Sequence, residues 1–331
     1  MADHAALAAQ VETAFGPQAA RFGLDQKRIS ARYVLNWGGF VNPSFTLSDG
    51  ARRLHLKLVR GEEDRSALRR WHHLAAHLRL HYGAPQVLGW FELPDSEWGG
   101  LLFEHVDGRN ATAAELPQLL PELLGRVARL HHDATLRAQL SPVDGDPPSC
   151  AEALIETYVE RFRADLAEAI LPQPPAFVTD ETLAWMQAET GRLEALARAG
   201  TAQSAAAVWP THGDLHLNNV LVRTDGGLAL IDWDDLAMGD PALEYAILLW
   251  PLLRDAPERW RAFALPAEPG FAERLELALR AHLLDEVIDT LADYVEADAA
   301  PEHAERVRAA KRQTHESALA LYRRRYPSRG I

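Results

Sequence analysis

Three polar residues in the second half of the chain have the types and spacing for phosphoryl transfer. Asp214 and Asn219 lie within THGDLHLNNVLV, residues 211–222, and Asp232 closes the run LALID. An apolar run, a tight polar loop, a second apolar run and a carboxylate predict short strands flanking a catalytic loop. In transfer from Mg-ATP, one carboxylate receives the proton of the substrate hydroxyl. An amide and a second carboxylate hold the metal ions. Taken one at a time, Asp and Asn in loops commonly do no more than cap turns. The set carries the reading, together with a lysine far upstream.

That lysine is Lys57. Residues 31–60 read as strand, Gly-containing loop, strand, Asp49-Gly50 turn and strand, because Asp-Gly between alternating runs signals a hairpin. In the last strand Leu54, Leu56 and Leu58 share one face, and His55, Lys57 and Val59 share the other. A lysine in such a strand, read alone, is an exposed edge-strand gatekeeper. The loop Asn36–Pro43 contains Gly38 and Gly39, which would let backbone N–H groups approach phosphates. No Gly-Lys-Ser/Thr follows it, so it is not a Walker motif.

The remaining elements must position these groups. A short amphipathic helix over 5–15 could cover the first lobe. Helical spacing over 63–80 puts Leu68, Trp71, Ala75 and Leu78 near one face. Strands follow near 85–91 and at LLFEHV, which breaks at Asp107-Gly108. That break divides the chain into an N-terminal nucleotide-binding lobe, 1–106, and a helical C-terminal lobe, 107–331. Thr112 and Glu115 have capping-box spacing, and Pro121 is expected to begin the main helix after them. Helical patterns fill the segments around Pro/Gly-rich joints at 144–148 and 171–175. Asp240 and Pro241 read as the N-cap and first residue of a helix. Further helices are expected over 271–297 and 302–325. The fold class is therefore α+β, with an antiparallel β lobe first and a mainly helical lobe after it.

Composition narrows the function. With 331 residues and 47% apolar content the chain has ample material for a core. A formal charge of −13 argues against general nucleic-acid binding. It leaves ATP open, since metal ions neutralise phosphates locally, and it would suit a cationic second substrate. An acidic surface is more commonly a solubility feature. The single cysteine, Cys150, excludes an intramolecular disulfide and reads as an inert thiol. The N-terminus lacks the pattern of a signal peptide, and no run approaches the roughly 20 apolar residues of a membrane span. A cytoplasmic, soluble protein without a membrane partner is expected.

In these motifs the sequence resembles the aminoglycoside phosphotransferase and choline kinase superfamily, over about residues 30–250. HGDLHLNN (212–219) matches the family's His-Gly-Asp-x-x-x-x-Asn loop, LIDWDD (230–235) its Ile-Asp-aromatic-acid segment, and GDPALEYA (239–246) the Gly-Asp-Pro stretch beyond. The resemblance implies a protein-kinase-like two-lobed fold and ATP with Mg²⁺ as cofactors. Asp214 would orient the acceptor hydroxyl and take its proton, and Asn219 and Asp232 would ligate Mg²⁺. Lys57 would contact the α- and β-phosphates. Backbone around Gly38, Gly39, Phe40 and Asn42 would cover the triphosphate, and Glu104–Val106 would face the adenine. His212 would brace the loop rather than carry protons.

Two departures stand out. Relatives carry a Glu on the helix after the lysine strand, where this chain has Arg70-Trp71-His72. The nearest acids are Glu62, Glu63 and Asp64. One of these would have to swing in, or Lys57 lacks its usual anchor. Glu244 stands where relatives commonly have Asp, and little change is expected from one extra methylene. For the acceptor, candidate lining residues are Asp234, Asp235, Trp233, Trp250, Glu156, Glu160, Asp285, Glu286 and Asp289, with the tryptophans offering cation–π contacts. Core packing or a solvated acidic face would explain most of them equally well. Three functions stay open: a kinase of a small-molecule hydroxyl such as an aminoglycoside or amino alcohol, a bacterial stress-response-type protein Ser/Thr kinase, and a nucleotide-binding pseudokinase.

Overall fold

The computed structural model describes residues 4–35, 42–141, 147–299 and 301–327. The chain forms two compact units. The first comprises Met1–Ala111, Leu217–Leu236 and Ala299–Glu302. The second comprises Thr112–His216, Ala237–Asp298 and His303–Ile331. The stretch 217–236, which contains Asn219 and Asp232, thus packs with the N-terminal segment although it lies more than a hundred residues beyond it.

The first unit is built on a five-stranded antiparallel sheet of order β1-β2-β3-β5-β4. Its strands are β1 (Ser30–Val34), β2 (Ser44–Ser48), β3 (Arg53–Val59), β4 (Val87–Glu92) and β5 (Gly99–Glu104). The predicted alternation in β3 decides how the sheet is covered. Leu54, Leu56 and Leu58 enter a core with Phe45, Leu47, Phe91 and Leu102. Helix α1 (His4–Phe15) supplies Leu7, Val11 and Phe15 to the same core. α1 is therefore a structural layer of this unit. Helix α2 (Glu62–Tyr82) packs against β4 and β5, where its buried Trp71 lies 4.6 Å from the Phe103 ring.

β3 is the central strand, so Lys57 is not an edge residue. It is only 9% exposed. A hairpin-like three-stranded sheet completes the unit, with β6 (Gly108–Asn110) and β9 (Leu228–Leu230) on either side of β8 (Val220–Arg223).

The second unit is helical. Helix α3 (Leu116–His131) begins before Pro121, which the sequence had placed at its start. Thr112 and Glu115 do bond through Thr112 Oγ1 and Glu115 Oε2 at 2.7 Å, but they close the turn ahead of the helix. Pro121 sits inside it on an exposed face, where water can meet the backbone carbonyl that loses its partner. After α4 (Ala134–Leu140), helix α5 (Cys150–Leu154) runs on through a π-helical segment (Ile155–Glu160), α6 (Arg161–Ala164) and a second π segment (Asp165–Ile170). Helix α7 (Asp180–Ala199) follows.

Helix α8 (Pro241–Leu253) starts as expected. Asp240 Oδ1 accepts from the Ala242 N–H at 3.0 Å and Pro241 leads the first turn. The other oxygen of Asp240 accepts from Arg274 Nε, also at 3.0 Å, in helix α9 (Phe271–Glu296). Both partners are almost fully buried, so this one carboxylate caps α8 and ties it to α9. Helix α10 (Ala304–Arg325) packs along α9. A short antiparallel pair joins β7 (Trp209–Thr211) to β10 (Ala237–Gly239). No pattern in the sequence marks β10, because three residues are too few for a period of two to register.

The close pairing of β3 with β5 at Lys57 depends on Gly100. A methyl group there would meet the Lys57 carbonyl oxygen at 1.9 Å. Gly100→Ala should destabilise the protein by about 1–3 kcal/mol, the usual cost of forcing atoms into a packed site. Gly89→Ala in β4, with nothing within 4 Å of the added carbon, is the control and should cost far less. Urea unfolding of the two variants checks the contrast.

Candidate functional site

Within the first unit the fold brings together residues far apart in sequence. Lys57 Nζ lies 2.5 Å from Asp232 Oδ1 and 2.7 Å from Asp234 Oδ2. Among the described residues these are the two ion pairs of Lys57. Burial alone would depress the Lys57 ammonium, but the two carboxylates outweigh it and hold the group above its ordinary value. Burial, followed by the neighbouring Asp232 charge, pushes Asp234 up despite its lysine partner. Two carboxylates thus share the one ammonium.

Local backbone explains how both acids reach the lysine. Asp232 has φ of +68°, a left-handed conformation that costs a non-glycine residue about 1–2 kcal/mol. The turn after it is pinned by Trp233, which is fully buried and donates its indole N–H to the Leu230 carbonyl at 2.8 Å. Trp233 is thus a core anchor of the first unit, its ring 5.7 Å from that of Tyr82. Arg70 of α2 donates through Nη2 to the Asp234 backbone carbonyl at 2.9 Å. Asp234, a candidate for the acceptor from sequence, has its carboxylate on Lys57, whereas Asp235 is exposed. Asn219 is 5% exposed and immediately precedes β8, and its carbonyl accepts from Ile231 N–H at 3.0 Å. That bond sets Asn219 across the β8–β9 hairpin from the residue next to Asp232.

The helix acids do not take the lysine. Asp64 is raised by burial and by the Asp234 charge, and the Asn42 side chain hydrogen-bonds to it. Of the expected nucleotide loop, Gly38, Gly39 and Phe40 lie outside the described residues. Glu104 ends β5 with its Oε1 accepting from the Gln86 N–H at 2.9 Å. Val106 is half-buried in the link 105–107.

Asp214 belongs to the second unit. It follows Gly213, whose φ of +89° lets the chain turn sharply after His212. His212 is wholly buried and accepts at Nδ1 from the Asp214 N–H at 3.4 Å. Beneath it Glu244 of α8 uses both oxygens. One accepts from the His212 backbone N–H at 2.6 Å, and the other meets His131 Nε2 of α3 at 2.5 Å. The residue that replaces the usual Asp therefore links α3, α8 and the 212–214 segment, with His131 and Glu244 each 2% exposed. His131 escaped the sequence reading because a single histidine at the end of a helix carries no motif.

The Asp214 charge is felt by His216, Tyr158 and His282, none of them a candidate from the sequence. His216 Nε2 is 3.3 Å from Asp214 Oδ2. Tyr158, in the first π segment, has its hydroxyl 3.2 Å from His282 Nδ1. Burial raises the Tyr158 phenol and lowers His282 to about 4, and the Asp214 charge reaches both. Trp250 packs edge-on to His282 at 4.7 Å and donates to Glu286 Oε1 at 2.7 Å. Asp285 and Asp289 both pair with Arg161, and Glu156 and Glu160 are exposed. Among the described residues, no group of three or more His, Cys, Asp or Glu could hold a metal ion.

With that geometry the chain has a protein-kinase-like fold, an antiparallel β unit followed by a helical one. Residues 33–277 match the family model described as the phosphotransferase enzyme family, and the chain belongs to that family. No curated protein matches it. Solved structures do. The choline kinase of Cryptosporidium parvum Iowa II is 13% identical with a TM-score of 0.54, covering 96% of this chain and 97% of its own. The ethanolamine kinase of Plasmodium vivax is 12% identical with a TM-score of 0.50, covering 90% and 84%. A thermostable mutant of aminoglycoside phosphotransferase APH(4)-Ia, in a ternary complex with AMP-PNP and hygromycin B, is 16% identical with a TM-score of 0.54, covering 88% and 94%. At such identities the likeness establishes the fold. The family makes the chain a phosphotransferase.

Asp165, in the second π segment, lies within reach of the acid row of α9 and should make stability depend on pH. Burial, then the nearby Asp289 charge, raises Asp165 from 3.8 to about 7. Between those values the folded chain holds a proton that the unfolded chain has lost, so stability falls as pH rises through this window. Asp165→Asn should remove that loss. Its stability relative to wild type should grow from about pH 4 to about pH 7 and level off above, read from urea midpoints. A constant offset would mean that Asp165 ionises normally.

Proposed function

We propose that the chain transfers the γ-phosphate of ATP to a hydroxyl of a small molecule. The observation that carries this reading is the meeting of Lys57 with Asp232, 175 residues apart, in a member of the phosphotransferase family. The structure holding AMP-PNP and hygromycin B supports a nucleotide and a small hydroxyl compound as the two substrates.

The donor set fits Mg²⁺. Asp232 and Asn219 offer oxygen ligands, the hard donors this ion prefers. A site of one or two protein side chains is usual for Mg²⁺, since phosphate oxygens and waters complete the shell. When bound, the ion would neutralise phosphate charge. Lys57 would engage the α- and β-phosphate oxygens. Asp214 would accept the proton of the acceptor hydroxyl as its oxygen bonds to the γ-phosphorus and the bond to ADP breaks. Glu244, through His212, would hold Asp214 in position for this. Tyr158, His282 and Asp285 surround Asp214 electrostatically and are the proposed walls for the acceptor. The carboxylates there favour an acceptor with an amine, as in an amino alcohol or aminoglycoside.

Asp214→Asn should lower turnover by at least about 10²-fold, the scale of losing a general base, with MgATP affinity largely kept. The assay is ADP release across a panel of aminoglycosides, choline, ethanolamine, sugars and a generic protein. Full activity in the variant would remove Asp214 from the role. Asp232→Ala should abolish the Mg²⁺ dependence of ATP binding by calorimetry, and an unchanged affinity would show that Asp232 is no metal ligand.

A further inference from the structure

The buried Lys57 has two acidic partners, and only one of them is free to serve it throughout the reaction. Asp232 is proposed for the metal. Once its oxygens turn to Mg²⁺, the lasting partner of Lys57 is Asp234 at 2.7 Å. The position of Asp234 is itself overdetermined. Its backbone carbonyl is held by Arg70 of α2 at 2.9 Å. The residue before it, Trp233, is locked in the core by its indole bond to Leu230. The turn closes just beyond, with the Leu236 N–H donating to the Trp233 carbonyl at 3.3 Å. Asp64, the nearest alternative on α2, is engaged with Asn42.

Resting on the nucleotide-binding reading above, we propose that Asp234 positions Lys57 for the phosphates and that Arg70 holds Asp234 in place. The helix then supplies a cation and the strand-following segment supplies the acid. Arg70, which stands in the Arg70-Trp71-His72 stretch lacking a helix acid, is part of the replacement. The lysine is anchored by a residue in the same turn as Asp232, so movement of that turn moves both together. Asp234 is a positioning residue, because it acts through Lys57.

Calorimetric titration with MgATP tests this on the full chain. The proteins are wild type, Asp234→Asn, Asp234→Glu, Lys57→Met, Arg70→Gln and the Asp234→Asn/Lys57→Met double variant. Asp234→Asn should weaken binding about tenfold or more, within the range of coupling between contacting groups. Asp234→Glu keeps the charge and should retain more affinity. The decisive result is non-additivity, with the double variant binding no worse than Lys57→Met alone. Arg70→Gln leaves both carboxylates in place and should weaken binding in the same direction, which keeps the test open if Asp234→Asn folds poorly in thermal unfolding. Wild-type affinity in Asp234→Asn, or losses that multiply in the double variant, would overturn the proposal. A wild-type protein that ignores MgATP would instead overturn the nucleotide reading itself.

Discussion

A buried ammonium is the constraint on which the first unit turns. Lys57 lies at the middle of the central strand, with leucines filling the sheet's other face. Left unpaired there, its charge would cost several kcal/mol. Chain from beyond residue 216 must therefore return to the sheet with acids. The return explains why 217–236 packs with the N-terminal segment. It also explains why Asp232 accepts a left-handed backbone, since the strain is small beside the cost of an uncompensated charge. Breaking either ion pair leaves the other carboxylate on Lys57.

The second unit solves a similar problem with a carboxylate in place of a lysine. Glu244 is buried and has both oxygens occupied, by a histidine from α3 and by the backbone beside Asp214. Its extra methylene relative to Asp gives it the reach to span the two. Asp240, four residues earlier, caps α8 and pairs with Arg274 of α9. One helix start thus fixes a loop, a neighbouring helix and the segment that carries the proposed base. Such buried acids contribute little net stability, because desolvation offsets their attraction, but they specify one arrangement of the elements around them.

Fold and family define the reaction class and leave the acceptor open. The helical unit is unusual in one respect. Tyr158 sits in a π-helical segment, a geometry that shifts side chains off the regular helical track and recurs at functional sites. Opposite it, α9 presents His282, Asp285 and Asp289, whose ionisation burial displaces. Arg161 pairs with both Asp285 and Asp289.

Local pattern was enough to find the Asp49-Gly50 hairpin, the leucine face of β3, the Asp240–Pro241 helix start and the long helices α9 and α10. Each rests on spacing of a few residues, a period or a cap that the chain carries within itself. The family was legible for the same reason, since HGDLHLNN, LIDWDD and GDPALEYA are contiguous. The sequence alone could not decide that Lys57 is central rather than at an edge, because strand order is set by long-range pairing. Nor could it assign Asp234 to Lys57, Trp233 to the core, or His131 to Glu244. Lys57 and Asp234, Tyr82 and Trp233, and His131 and Glu244 each lie more than a hundred residues apart, and side chains so separated are paired only when the sheet and helices close around them.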